Sequence, residues 1–339
     1  MSTLRKKLDI LPGFLLALAI AAVAKWLEAL LPIHLIGASV IALFIGMGIH
    51  QIKKPGKLLQ TGLKFTSKKV LKLAIILLGA SLSIGTILQV GRLSLTVMLF
   101  TLLTCFGGGY FVGKKLGLNW KLSNLISAGT GICGGSAIAA IAPVIDADDS
   151  DIAYAMSATF LFDMAMIVLF PIMGRALGLS DMAYGLWAGT AVNDTSSVVA
   201  ASYAFSEAAG DFATMVKLTR TLSIIPTVVV FSFIQAHLKK KEGGSAEKKV
   251  NIVGLLPWFI VAFLAMAGIN SVGLIPAALS AMLKTVSKFL MVAALAAIGL
   301  NTDFQKMKRS GINPMIHGFI ISALVVVVAI AVEYAIGLV

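Results

Sequence analysis

Residues 10–31 read ILPGFLLALAIAAVAKWLEALL, an apolar run broken only by Lys25 and Glu28. A helix rising about 1.5 Å per residue needs roughly 20 such residues to cross about 30 Å of hydrocarbon. Comparable runs recur to the C-terminus and place helices near 10–31, 33–51, 70–88, 93–113, 122–145, 150–174, 181–206, 212–238, 251–270, 283–303 and 314–337. The 339 residues are 58% hydrophobic and 13% charged, with a mean hydropathy of +0.96, whereas a soluble chain carries about 25% charged residues. No water-soluble core could hide that much apolar surface. The expected fold class is all-α: a polytopic membrane protein of about eleven transmembrane helices, forming one integral membrane domain over 1–339.

The net charge of +13 argues for topology rather than nucleic acid, because the Lys and Arg residues gather in short loops between apolar segments. The N-terminus and loops 52–69, 114–121, 175–180, 239–250 and 304–313 carry almost all loop Lys and Arg, while Asp146, Asp148, Asp149, Asp151, Glu207 and Asp211 fall in the alternate loops. This positive-inside pattern places the N-terminus in the cytoplasm and the C-terminus outside, with an odd number of spans. Arg5, Lys6 and Lys7 followed by an apolar run and Ala22-Val23-Ala24 imitate a signal peptide, but the run continues to Leu31, which fits an uncleaved first helix. Cys105 and Cys133, the only cysteines, lie inside apolar segments and can build neither a disulfide framework nor a zinc cluster.

Some residues break helical rules where a membrane helix should be uniform. Gly129-Thr130-Gly131-Ile132-Cys133-Gly134-Gly135-Ser136 puts four glycines in mid-segment, each costing a helix about 1 kcal/mol relative to Ala. That stretch should unwind, and backbone unwound at this depth must face protein or a water-filled cavity. A half-helix starting near Gly135 and Ser136 would aim free N–H groups and a positive dipole end inward, which suits an anion. The alternative is that these glycines only let helices pack closely. Thr130, Cys133 and Ser136 favour a site. Asn193, Asp194, Thr195, Ser196 and Ser197 form a polar run at the middle of 181–206, where a charge costs about 2.5–3.5 kcal/mol and must have a partner or a purpose.

Asp163 is an isolated charge mid-way along its segment, either an ion-coupling group or a paired structural carboxylate. Lys217 and Arg220 share a helix face. They can pair with Asp163 or Asp194 or meet an anionic solute, with snorkelling as the bland account of Lys217. Asp303 follows Asn301 and Thr302 and either couples an ion or marks a helix exit. His34, His50, His237 and His317 fall near membrane surfaces and are not read as metal ligands. No phosphate loop G-x-x-x-x-G-K-[ST] and no H-E-x-x-H motif occurs, which weighs against ATP-driven or metalloprotease readings. Ala128 to Ser136 also resembles Ala188 to Ser196, and Leu78 to Ser83 resembles Ile298 to Asp303. With one helix per segment, the second pair runs in opposite directions, as inverted repeats require, and the first in the same direction.

On Gly129 to Ala140, Ala191 to Ala201 and Gly299-Leu300-Asn301-Thr302-Asp303-Phe304, the chain resembles the bacterial YeiH-like family assigned to sulfate export, over nearly its whole length. That family is similar to bile-acid/sodium symporters and cation/proton antiporters. The resemblance implies inverted repeats, a panel and a core region whose boundary the sequence does not reveal, and broken helices crossing at mid-membrane. The expected function is secondary transport of a small anion (sulfate, a sulfonate or a small carboxylate) by alternating access, without catalysis. An anion channel is the alternative, and a membrane-embedded enzyme a third. Thr130, Gly131, Cys133, Gly134, Gly135, Ser136, Asn193, Thr195, Ser196 and Arg220 are the expected solute-binding residues, and Asp194, Asp163 and Asp303 the ion-coupling ones. No metal site or cofactor is expected beyond a coupling Na+ or H+. The expected partners are the anionic solute and the lipid bilayer, not nucleic acid, and a homodimer is left open.

Overall fold

The computed structural model describes residues 2–30, 37–241, 258–302 and 311–339. Its elements, in chain order, are α1 (Ser2–Leu30), α2 (Ala38–Ile52), α3 (Lys57–Phe65), α4 (Leu71–Gly79), α5 (Ile84–Leu103), α6 (Gly109–Lys115), α7 (Trp120–Ala128), α8 (Gly135–Ile141), α9 (Asp149–Ala176), α10 (Asp181–Ala191), α11 (Thr195–Phe205), α12 (Glu207–Thr221), α13 (Ile224–Lys241), α14 (Trp258–Ser271), α15 (Ala277–Asn301) and α16 (Ile312–Ala335). Turns of π-helix at Thr66–Val70 and Thr104–Gly108 join α3 to α4 and α5 to α6, and a third, Gly129–Cys133, prolongs α7. Among the described residues no strand occurs. Among the described residues, six helical stretches are long and apolar enough to cross a membrane, and α2 and α14 are shorter apolar helices. The protein is thus the all-α polytopic membrane protein expected. One segment is displaced: the helix expected at 70–88 runs over 57–79, and its successor starts at Ile84 rather than 93. Lys57, Lys64, Lys68 and Lys69, assigned to a loop by their charge, lie on helix instead.

The chain divides into two compact units, the first built from 1–89, 199–211 and 258–304, the second from 90–198, 212–257 and 305–339. In the first, Ala17, Ala21, Ala24, Ala38, Ala42, Ala293, Ala296 and Ala297 form much of the core. Small residues let membrane helices approach closely where lipid supplies no hydrophobic drive for association. Ser287 Oγ donates to Ala74 O at 2.6 Å and Ser280 Oγ to Ala80 O at 3.0 Å, so α4 and α15 run antiparallel. This gives the similarity between 78–83 and 298–303 its expected opposite sense. The paired glycines do equivalent work: a Cβ on Gly79 would stand 2.5 Å from Phe263 O of α14, and one on Gly299 would clash with Leu43 O of α2. At the turn between α11 and α12, Tyr203 donates to Asp211 at 2.6 Å, and Lys284 and Lys288 of α15 pair with Asp211 and Glu207 at 2.5 and 2.6 Å.

In the second unit two expected spans prove to be hairpins. With 9 and 7 residues, α7 and α8 measure about 14 and 11 Å, roughly half the hydrocarbon thickness. Asn119 caps α7 by accepting from Leu122 N at 2.8 Å, and its amide donates to Asp151 at the start of α9 at 3.1 Å. Lys121 Nζ donates to Asp146 O at 2.7 Å. Both ends of 120–151 therefore lie on one face, and the tip between them folds Ile138 back against Gly129. Residues 122–145 enter and return rather than cross, so the acidic loop 145–151 shares a face with Lys114 and Lys121 instead of lying opposite. Four glycines and the reversal at Gly134 are the physical reason.

The second hairpin enters from the other side. Along α9, Asp163 meets the backbone of Asn193, and Phe170 packs on Tyr184 and Trp187 at 6.3 and 4.3 Å, so α10 runs against α9. Gly189 abuts Ala213 and Val216, whereas Lys217 and Arg220 reach Val192, so α12 runs with α10. Tyr203 lies against Gly210, which makes α11 antiparallel to α12, and hence to α10. Residues 181–206 return to the face they left, which carries Arg175 and Ser180. Loop 175–180 and the base of the first hairpin are thus on opposite faces of this unit, a second correction to the expected topology. The similar stretches 128–136 and 188–196 consequently run in opposite senses, as inverted repeats do.

Candidate functional site

The two hairpin tips meet inside the second unit, and the buried charges there bind backbone. The π turn Gly129–Cys133 ends at Gly134, with φ 64 and ψ −133, a conformation that a residue with a Cβ resists. Gly134 N still donates to Gly129 O at 2.8 Å, but the carbonyls of Thr130, Gly131 and Ile132 have left the helical ladder. Arg220 takes two of them, Nε donating to Gly131 O at 2.7 Å and a terminal nitrogen to Thr130 O at 2.5 Å. Lys217 Nζ takes Ile132 O at 2.9 Å. At the other tip, Val192 O, where α10 ends, accepts from Lys217 at 2.9 Å and Arg220 at 3.3 Å. Two cations thus sit on the carbonyl, electronegative ends of two half-helices, where the helix dipole favours them.

The opposite charge serves the opposite ends. Asp163, 0% exposed, accepts from Asn193 N and Asp194 N at 2.9 and 2.8 Å. Asp194 in turn accepts from Ser196 N at 2.9 Å and from the Ser196 hydroxyl, capping α11. Arg220 is 1% exposed and held by carbonyls, so of the alternatives open to it, an ion pair with Asp163 or with Asp194 is not what the structure contains. Nor does Lys217 snorkel: it is 0% exposed and joins both tips.

The expected solute-binding residues divide by accessibility. Thr130, Gly131, Cys133, Gly134, Asn193 and Ser196 are buried, as is Arg220, whereas Gly135, Asp194 and Thr195 are partly open and Ser136 is exposed. The tips touch where Gly134 faces Asp194, a Cβ there standing 3.1 Å from both Cβ and Oδ1 of Asp194. Ile138 N makes the first full-turn bond of α8, to Gly134 O at 3.3 Å, so the N–H groups of Gly135 and Ser136 precede the helical ladder beside that contact. Asp303 lies outside the described residues. Among the described residues no cluster of His, Cys, Asp and Glu could hold a metal ion.

One participant went unread in the sequence. Ser322 of α16 accepts from Asn193 Nδ2 at 3.2 Å and shares a 3.4 Å bond with Thr130 Oγ1, linking both tips to a continuous helix. Its only sequence signal is a hydroxyl within an otherwise apolar run from Phe319 to Val332. Asn193 Oδ1 is buried without a hydrogen-bond partner.

Comparison with known proteins agrees with a membrane protein. A family model described as conserved hypothetical protein 698 matches residues 12–318. The chain is 55% identical over 334 residues to a UPF0324 membrane protein of Clostridium tetani (strain Massachusetts / E88), covering 96% of this chain and 97% of that one. It is 37% identical over 345 residues to a UPF0324 membrane protein of Streptococcus mutans serotype c, covering 98% and 99%, and 38% identical over 330 residues to one of Streptococcus pneumoniae serotype 4, covering 96% and 97%. The resemblance to the YeiH-like group is of the same kind. By a family match over most of its length and relatives that align nearly end to end, this chain belongs to the UPF0324 family of membrane proteins.

Proposed function

We propose that the protein is a secondary transporter that moves a small anion (sulfate, a sulfonate or a small carboxylate) across the bacterial plasma membrane by alternating access. The observation that supports this most is the meeting of two re-entrant hairpins from opposite faces, tip against tip at Gly134 and Asp194. A broken backbone inside the membrane is tolerated only where it is buried in protein or lines a cavity. Discontinuous helices meeting at mid-depth are how many transporters build a solute site reachable from either side.

Lys217 and Arg220 neutralise the carbonyl ends and Asp163 the amide ends, which leaves the edge formed by Gly135, Ser136, Asp194 and Thr195 for the solute. There an anion meets the leading N–H groups of α8 and the hydroxyls of Ser136 and Thr195. Asp194 would repel it unless a Na+ or H+ neutralises the carboxylate, so anion and coupling ion are taken up together. Asn193 Oδ1 is a further oxygen for that ion. The reading requires no catalytic step and no organic cofactor. Folding back two segments keeps the number of spans odd, so the Lys-rich termini of the spans face the cytoplasm, with the N-terminus inside and the C-terminus outside.

Counterflow in proteoliposomes tests the proposal, using labelled sulfate, a two-carbon sulfonate and succinate, each with and without sodium and at several pH values. Saturable exchange of at least one anion, dependent on one ion, is expected. Unsaturable anion current without exchange would instead establish a channel.

A further inference from the structure

Glu333 stands near the end of α16, 0% exposed, and neither carboxylate oxygen has a hydrogen-bond partner. A carboxylate ionised in such a place loses its hydration with nothing in return, at a cost of several kcal/mol. Its position adds to that cost, because the C-terminus of a helix is the end where the dipole disfavours an anion. The end is well formed: Leu338 N bonds Glu333 O at 3.0 Å and Gly337 N, at φ 75, bonds Tyr334 O at 3.1 Å, the paired bonds of a Schellman cap. Glu333 is two residues from the end of α16 at Ala335, and Tyr334 beside it is 73% exposed.

By the register that Phe162 on Phe319 and Trp187 on Val326 set, the charged or titratable groups that α9 and α10 bring toward this half of α16, among the described residues, are Arg175 at the end of α9 and Asp181 and Tyr184 on α10. Each of the three has an interaction of its own, and Glu333 shares in none within bonding distance. Along α16, Glu333 lies about three turns beyond Ser322 on the same buried face, and Ser322 bonds both hairpin tips.

We propose that Glu333 is a proton-binding site. It carries one proton as a neutral carboxylic acid in this conformation and releases it when the last turn of α16 opens to water, so that proton movement is coupled to the transport cycle. The coupling half of this inference rests on the transporter reading; the proton-binding half does not. One H+ binds one carboxylate oxygen and leaves from it, with no other bond made or broken.

Infrared spectroscopy of the purified protein at neutral pH tests the binding directly. The C=O stretch of a protonated carboxyl, shifted in D2O, is expected in wild type and lost from Glu333→Gln; an unchanged band in the variant overturns the proposal. In proteoliposomes, an imposed pH gradient is expected to accelerate uptake by wild type and by Glu333→Asp. Glu333→Gln and Glu333→Leu should lose that acceleration while keeping counterflow within about twofold. Gradient-driven acceleration retained in both neutral variants overturns the coupling. Should wild type show no counterflow of any anion, the transporter reading fails, and the infrared result still decides whether Glu333 holds the proton.

Discussion

The two hairpin tips reverse the chain at similar depth by different chemistry. The first, Gly129 to Gly135, carries no charge and turns by conformation: a π turn, then Gly134 in a region closed to other residues. The second, Val192 to Thr195, contains no glycine and turns by side chain, with Asp163 holding two amides and Asp194 capping the helix that leaves. What the glycine tip lacks is supplied from outside, by Lys217 and Arg220. Two hairpins can thus reach similar geometry with different residues, provided each orphaned backbone group finds some partner.

The first way to break this comparison is topological and all-or-none. Single cysteines at Asn119 and Asp148 are expected to react with an impermeant thiol reagent from the same face of the membrane, and a cysteine at Ser180 from the opposite face, in a background lacking Cys105 and Cys133. Labelling of the Asn119 and Asp148 positions from different faces would make 122–145 a crossing helix and remove the hairpin.

Next in size are the cations. Arg220→Met leaves the carbonyls of Thr130 and Gly131 without their donor while Val192 O keeps Lys217; at about 1–3 kcal/mol for each orphaned group, the loss is roughly 2–6 kcal/mol. Lys217→Met orphans Ile132 O alone, since Arg220 still reaches Val192 O, and should cost about 1–3 kcal/mol. Thermal unfolding in detergent is expected to rank them in that order. Equal midpoints for both variants and wild type would mean that these side chains do not hold the tips.

Much of this was legible in the sequence, and the failures share a cause. Apolar runs gave the class, and glycines at 129–135 and the polar run at 193–197 marked the breaks, because both violate what a lipid-spanning helix tolerates. Whether a broken segment continues or turns back depends on what its far end touches, such as Asn119 on Asp151, and hydropathy is blind to that. The alternation of loop charge misled for the same reason: Asp146 to Asp151 look like an outer loop only if 122–145 crosses. The sequence offers Arg220 as a solute ligand and conceals its carbonyl partners, because these lie about 90 residues away in the chain.

The glycines sharpen the contrast between the tips. Gly134→Ala meets both a prohibited backbone conformation and Asp194 at 3.1 Å, so a cost of about 1–3 kcal/mol is expected. Gly135→Ala has nothing nearer than Met156 Cε at 3.9 Å and should leave stability almost unchanged. Indistinguishable unfolding curves for the two variants would show that the first tip does not turn at Gly134.

The smallest loss of a bonded contact belongs to Ser322, and it separates a brace from a solute contact. Ser322→Ala removes the acceptor of Asn193 Nδ2 at 3.2 Å and a long 3.4 Å bond to Thr130. A neutral hydrogen bond contributes about 1 kcal/mol net, and the second is too long to add much. Because Asn193 is fixed through its backbone N–H by Asp163, losing the side-chain bond should not move the tip. The expected outcome is a fall in stability of about 1 kcal/mol or less, with anion affinity in counterflow changed less than about threefold. Ser322 braces the crossing from behind, being 0% exposed, and does not line the open edge at Ser136 and Thr195. A tenfold loss of affinity at unchanged stability would place the solute deeper, between Asn193 and α16, and would reassign Asn193 Oδ1 from the coupling ion to the solute.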